Sequence, residues 1–404
     1  MTEEIKTRIE SIRKGEVPNG YSEGVAGILP NDWTSKPLSE ISEVIAEQAG
    51  DDDYETLSIS AGIGFVNQAQ KFGKELSGKQ YEKYTVLRKG DFAYNKGNSK
   101  RYPQGCTYRL KERDEAAVPN VFECFRISEG CPEYYEQLFI SGFMNRQLTQ
   151  KINHGVRDDG LLNLTDEDFY STVLPVPSLA EQKKIAEILS TCDRVIELKQ
   201  QLLDEKCKVF RHIMALIFES VDEHIELGRI SKITMGQSPD SSSYNTDEDG
   251  VPLLQGNADI MNGIPMPRYY TSKPTKMCKS GDLLLSVRAP VGAVSRSDRS
   301  ACIGRGLCSI SAGKFSEYIY YYLKYYESEW DKISQGSTFT AISGDDIKKV
   351  PIPVVNDSTL ARYQGILRCA DTEIHLLEQE LESLQQKKKA LMQLLLTGLV
   401  RVNI

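Results

Sequence analysis

The stretch YNKGNSKRYPQG at residues 94–105 puts Tyr94, Asn95, Lys96, Asn98, Lys100, Arg101, Tyr102 and Gln104 within twelve positions. Lysine and arginine neutralise phosphates, whereas asparagine, glutamine and arginine carry the donor and acceptor pairs that match base edges in a DNA major groove. Asn95, Lys96, Lys100, Arg101 and Gln104 are therefore candidate nucleic-acid contacts. NHGVR at 153–157 offers a second loop with Asn153, His154 and Arg157. In the other half of the chain the same residue types recur as Gln255, Asn257, Arg288, Arg296 and Arg305, followed by Gln335, Ser337 and Thr338.

The net charge of −8 argues against a polyanionic partner only if charge is evenly spread. It is not. Residues 68–113 hold twelve Lys/Arg against four Asp/Glu, and residues 268–305 hold eight against two. Each half therefore carries one basic tract. Catalytic chemistry has less support. GKELSGKQ at 73–80 has the glycine and lysine spacing of a phosphate loop, but Gln80 stands where a Ser or Thr must bind magnesium. The nine cysteines form no CxxC and read as free, mostly buried thiols, and the four histidines make no pair at metal-ligand spacing. No metal site is expected.

The elements that position the basic tracts repeat. EKYTVLRKGDFAYNKGN (82–98) and TKMCKSGDLLLSVRAPVG (275–292) share a basic residue, a Gly-Asp turn and an apolar or aromatic strand, aligning Gly90-Asp91 with Gly281-Asp282. LLNLTDEDFYSTVLPVP (161–177) matches FTAISGDDIKKVPIP (339–353), which makes 335–338 the counterpart of 153–157. Each Pro-x-Pro step then leads into a long helical pattern, with Ser178 or Ser358 available as a cap. The first pattern predicts a heptad seam of Ile188, Cys192, Val195, Lys199, Leu202, Lys206, Val209, Ile213 and Leu216; the second predicts Ile374, Leu377, Leu381, Leu384, Lys388, Leu391 and Leu395. The expected fold is α+β: two β-rich domains separated by a long antiparallel two-helix coiled coil, an internal duplication with pseudo-twofold symmetry. The second helix returns the C-terminus towards the N-terminus, where a short helix carrying Ile5, Ile9 and Ile12 packs. The boundaries read as 1–30 for an N-terminal helical segment, 31–176 and 220–353 for the β-rich domains, and 177–219 and 354–404 for the helices. No run is apolar enough to cross a membrane and the first residues lack a signal-peptide core, so the chain reads as cytoplasmic.

PSLAEQKKIAEILSTCDRVI (177–196) and GSTFTAISGDDIKKVPIP (336–353) resemble the DNA-specificity subunit of type I restriction-modification enzymes, over essentially all of residues 20–400. Ala180-Glu181-Gln182, Ile185-Ala186, Leu189 and Asp193 carry the first match; the second helix keeps Asp371 at the position of Asp193 but lacks the Glu-Gln pair. The resemblance implies two target-recognition domains that bind a bipartite, asymmetric site on double-stranded DNA. It further implies one copy per complex, two methyltransferase partners and, through them, restriction and translocase subunits. S-adenosylmethionine, ATP and magnesium belong to those partners, with no cofactor and no active site in this chain; the Asn-Pro-Pro-aromatic signature of adenine methyltransferases is absent from it. Glu181, Gln182, Ile185 and Leu189 are the candidate partner contacts. The alternative is a coiled-coil scaffold that binds no DNA.

Overall fold

In the computed structural model, which describes residues 3–72, 78–97, 102–152, 161–261, 263–334 and 341–404, the two Gly-Asp dipeptides make the same turn. Gly90 has φ 101° and Gly281 φ 88°, a region that residues with a Cβ rarely enter. The following aspartate is buried each time. Asp91 accepts the Arg88 amide at 2.7 Å and the Arg126 Nε–H at 2.6 Å. Asp282 accepts the Lys279 amide at 2.8 Å and the Ser309 hydroxyl at 2.7 Å. A buried carboxylate needs such donors, because an unpaired one loses its hydration without compensation.

Each turn starts the strand on which a four-stranded antiparallel sheet is built. The chain divides into two units, Met1–Leu198 with Leu381–Ile404, and Lys199–Glu380. In the first unit the sheet order is Ser42–Val44, Phe122–Ile127, Phe92–Asn95, Cys106–Arg109; in the second it is Lys232–Met235, Leu307–Ser311, Leu283–Ser286, Val294–Arg296. The orders correspond strand for strand, as the duplicated sequence requires. Phe92 and Phe125 are register partners whose rings stack at 5.4 Å, and Phe139 from the helix Pro132–Ser141 meets Phe92 edge-on. Pro132 opens that helix and Gly142, at φ 74°, ends it. The helix Ser316–Tyr325 takes the same place in the second core, burying Tyr318, Ile319, Tyr321 and Leu323.

A second layer differs more between the units. The first has separate pairs, Thr85–Arg88 with Glu115–Val118 and Leu57–Ser60 with Gly64–Asn67. In the second unit, Val251–Leu254 and Ala301–Ile303 pair in parallel within a five-stranded sheet. Both units then close alike: Val173–Val176 pairs with Thr34–Pro37, and Pro351–Pro353 with His224–Glu226. A helix follows each closing strand.

These helices, Leu179–Glu219 and Asp357–Leu396, have 41 and 40 residues, each about 60 Å at roughly 1.5 Å per residue. Within the second unit Lys199 pairs with Glu380 at 2.9 Å and Lys206 with Glu373 at 2.6 Å. Advancing on one helix retreats on the other, so they run antiparallel. In the first unit the half-buried Asp193 of the first helix pairs with the buried Lys388 of the second. The seam expected on the second helix is present, with Leu381, Lys388 and Leu395 buried. The first helix departs from expectation at every other seam position: Leu203, Phe210 and Ile217 are buried, while Val195, Leu202, Val209 and Leu216 are exposed. Apolar residues stand side by side at 195–196, 202–203, 209–210 and 216–217, so two seams one residue apart share the 4-3 rhythm. The larger Phe210 takes the interior and meets Tyr321 edge-on at 5.9 Å.

The segment expected to be helical over 1–30 is a helix only from Glu3 to Arg13. Gly15, Pro18 and Gly20 interrupt it, and a hairpin of Tyr21–Gly24 and Gly27–Pro30 follows. The C-terminus does return here: Tyr21 Oη donates to the Gly398 carbonyl at 2.7 Å and Arg8 to that of Leu399 at 3.2 Å. All nine cysteines are free; five are buried, three half-buried and Cys369 exposed. No described helix is long and apolar enough to cross a membrane, and no described group of three His, Cys, Asp or Glu could hold a metal.

Candidate nucleic-acid interface

Four of the residues picked out in the second half converge on one open cleft. Gln255, Asn257, Arg288 and Arg305 line it, together with Arg268, Asp259, Ser238 and Ser286, around a volume of about 570 Å³. Glycine permits the approach. A Cβ on Gly306 would lie 2.5 Å from the Gln255 carbonyl oxygen, and one on Gly304 2.9 Å from the Gln255 Cα. With no side chain there, the Gly306 amide donates to the Gln255 carbonyl at 3.0 Å and the Gly304 amide to that of Leu254 at 2.8 Å. Arg305 is thereby held beside Gln255, its amide donating to Ser238 Oγ at 3.3 Å.

Arg288 enters from the strand that follows the Gly-Asp turn. Its backbone bridges to Ala341, and the Ile342 amide donates to Val287 at 3.2 Å. In the first unit Gly97 bridges to Leu161 and the Leu162 amide donates to Lys96 at 2.9 Å. The segments 335–340 and 153–160 thus end at equivalent places, as the aligned sequences predict. Asn153, His154, Arg157, Gln335, Ser337 and Thr338 themselves lie outside the described residues, as do Lys100 and Arg101 and most of the phosphate-loop-like stretch, residues 73–77.

Charge pairing separates the two basic tracts. Among the described residues, Arg288 and Arg305 are exposed and form no ion pair or side-chain hydrogen bond. Arg268 pairs with the buried Asp259, through Nε at 2.7 Å. In the first tract, by contrast, Arg88, Lys96, Arg109, Lys111 and Arg113 are neutralised by acids that the fold brings from elsewhere. Arg88 is forked onto Glu47, Arg109 lies against Glu133 and Glu136, Lys111 pairs with Glu136 at 2.5 Å, and Arg113 with Glu55 at 2.6 Å. A count of local charges could not foresee these partners, which lie 20 or more residues away in sequence.

Three expectations therefore change. Lys96, its side chain 13% exposed, is held between Glu123 and Asp166, each at 2.7 Å. Burial works against its charge, but the two carboxylates outweigh it and raise the ammonium pKa. It is an internal ion-pair residue and has no free charge for a phosphate. Arg296 lies 3.9 Å over the Tyr320 ring and 4.0 Å from Glu317, on the helix side of the sheet and outside the cleft lining. Stacking on tyrosine accounts for its conformation. Of the first unit's candidates, Asn95 accepts the Gly97 amide at 2.8 Å and Gln104 donates to Thr149 Oγ1 at 3.0 Å; both remain half-exposed.

The third change concerns the helix start. Glu181, Gln182, Ile185 and Leu189 are all buried within the chain and so present no docking face. Glu181 accepts the Trp33 indole N–H at 3.0 Å and the Arg401 guanidinium at 2.6 and 2.9 Å. Gln182 accepts the Cys131 amide at 2.8 Å and donates to the Pro177 carbonyl at 3.0 Å. Ile185 and Leu189 pack in the core with Met392 and Leu395. The aligned aspartates do correspond: Asp193 accepts Gln137 at 3.0 Å, and Asp371 accepts Tyr321 Oη and Lys324, each at 3.3 Å.

Asp259 and Arg268 were missed by the sequence reading. Arg268 opens the second basic tract, but nothing in the spacing of nine residues marks Asp259 as its partner.

Comparison with known proteins gives a consistent result. The family model of the type I restriction modification DNA specificity domain matches residues 30–205 and 222–386. A protein of Methanocaldococcus jannaschii named as the specificity subunit of the MjaX type I restriction enzyme is 30% identical over 416 aligned residues, covering 93% of this chain and 96% of that protein. The MjaVIII specificity subunit of the same organism is 24% identical over 60% of this chain and 66% of its own length. In fold, the chain matches one solved in a study of complex assembly and conformational transition of the type I R-M system, with a TM-score of 0.60 at 24% identity, covering 92% of this chain and 99% of that one. The S subunit of M. genitalium matches with a TM-score of 0.59 at 14% identity, over 96% and 98%.

Proposed function

The chain belongs to the type I restriction-modification DNA-specificity family, and from that premise we propose how its residues serve the complex. A specificity subunit recognises DNA and is the non-catalytic component; the enzymatic activity lies in its partner subunits. In our reading each β-rich domain addresses one half of a bipartite, asymmetric double-stranded site. The second does so through Arg288, Arg305, Gln255 and Asn257, and the first through Asn95, Gln104, Lys100, Arg101 and the 153–157 loop. One copy of the chain works in the cytoplasm with two methyltransferase subunits and, through them, restriction and translocase subunits. S-adenosylmethionine, ATP and magnesium are used by those partners.

The observation that carries the DNA-reading proposal is the cleft of the second unit, where the guanidiniums of Arg288 and Arg305, unpaired among the described residues, stand beside the amide side chains of Gln255 and Asn257. Guanidinium and amide groups are the side chains that match guanine and adenine edges bidentately. The partner surface is assigned to exposed apolar residues of the first long helix, Val209 (52% exposed) and Leu216 (59%) foremost, since the Glu181 cluster is buried. Binding of the purified chain to mixed duplexes at increasing salt tests the first part: log affinity falls linearly with log salt, by about 0.9 per phosphate contact. Adenine methylation appears only when the cognate methyltransferase subunit and S-adenosylmethionine are added. Methyl transfer by the chain alone contradicts the reading.

A further inference from the structure

We propose that Arg268 reads a guanine in the half-site of the second unit, and that the buried Asp259 is its positioning residue. The inference rests on the DNA-reading assignment of the cleft and goes beyond it by naming a further specificity residue and the base it selects. Asp259 is 1% exposed. One of its oxygens accepts the Gln255 amide at 2.7 Å and the other accepts Arg268 Nε–H at 2.7 Å. Its amide donates to the Gly256 carbonyl at 3.0 Å and its own carbonyl accepts the Met266 amide at 2.7 Å. The carboxylate therefore sits at a fixed place, bound to the backbone of a cleft residue at one oxygen and to Arg268 at the other.

The mode of attachment matters. Arg126 gives both Nε and a terminal nitrogen to Asp91, and Arg88 gives both terminal nitrogens to Glu47. Those forks are occupied. Arg268, which lines the cleft, is held by Nε alone and its side chain is 59% exposed, so among the described residues its two terminal nitrogens are free. Two parallel N–H groups match the O6 and N7 acceptors of guanine. Tethering Nε restricts a side chain that otherwise loses much rotamer freedom on binding. A carboxylate next to the guanidinium also disfavours a phosphate, which carries a full negative charge, more than a neutral base edge. The pair is thus suited to reading a base and poorly suited to gripping the backbone.

The test uses the whole complex, this chain with its methyltransferase partners, in a host without other methylation. Methyladenine is mapped genome-wide, and binding is measured on duplexes varied one base pair at a time. Arg268→Ala is expected to relax a single G·C pair in the half-site that survives exchange of residues 31–174, with every other position retained. On the cognate duplex affinity falls about 5- to 150-fold, and the loss vanishes on duplexes already lacking that pair. Arg268→Lys keeps the charge and loses the fork, so it is expected to relax the same pair while leaving the salt slope unchanged. Asp259→Asn is expected to relax that pair too; the exposed Arg268 variants keep the test valid if Asp259→Asn fails to fold. A uniform loss on all sequences with a salt slope lower by about 0.9 would make Arg268 a phosphate contact and overturn the inference. So would an unchanged motif, or relaxation in the other half-site. Absence of any sequence-specific methylation by the unaltered complex would instead overturn the DNA-reading assignment itself.

Discussion

Glu181 illustrates how a residue can be correctly noticed and wrongly employed. The Ala180-Glu181-Gln182 run carries the family resemblance, which suggested contact with a partner, yet Glu181 is enclosed by Trp33 and Arg401. Arg401 is bound a second time through Asp32, at 2.8 and 2.9 Å. Without Glu181, Arg401 keeps Asp32 and its access to solvent, but the buried Trp33 indole N–H loses its acceptor, a loss of about 1–3 kcal/mol. Glu181→Ala is therefore expected to lower stability by about 1–3 kcal/mol while the methylated motif stays the same. Calorimetry beside methylome mapping checks both; normal stability with failed assembly would restore Glu181 as a docking residue. The same limit on legibility holds for Lys96 and the first basic tract. Residue type was visible in the sequence, but Glu47, Glu123, Glu136 and Asp166, which neutralise that tract, are local only in three dimensions.

At the scale of elements the sequence was more informative where a turn or a period dictates structure by itself. The Gly-Asp turns need positive φ followed by a buried acceptor, and both are present. The second long helix has one row of leucines, so its seam could be read directly. On the first helix adjacent apolar pairs allow two seams, and only the partner's packing chooses between them. That choice leaves Val209 and Leu216 in solvent while Phe210 and Ile217 are buried. Replacing both exposed residues by aspartate is expected to preserve folding and DNA binding and to prevent co-purification of the methyltransferase subunits, each charge being costly in an apolar interface. Phe210→Asp is expected to destabilise the second unit itself, because it places an unpaired charge against Tyr321. Co-purification together with urea denaturation separates the two effects. Retained assembly in the double variant would move the docking face elsewhere on the helices.

For the molecule as a whole, duplication is the fact from which function follows: two sheets of corresponding strand order, two Gly-Asp turns and two proline strands, each leading into a long helix. Its existence was legible because turns and prolines punctuate both copies alike. Its asymmetry was not, since the second layer and the pairing of charges depend on contacts between distant residues. If each copy reads one half-site, the two readings are separable. Exchanging residues 31–174 for the corresponding domain of a relative with different specificity, then mapping methyladenine across the genome of a methylation-free host, tests this most directly. The account predicts that one half of the methylated sequence changes, while the other half and the number of unspecified base pairs between them persist. A chimera that folds and methylates, but alters both halves together, would contradict it.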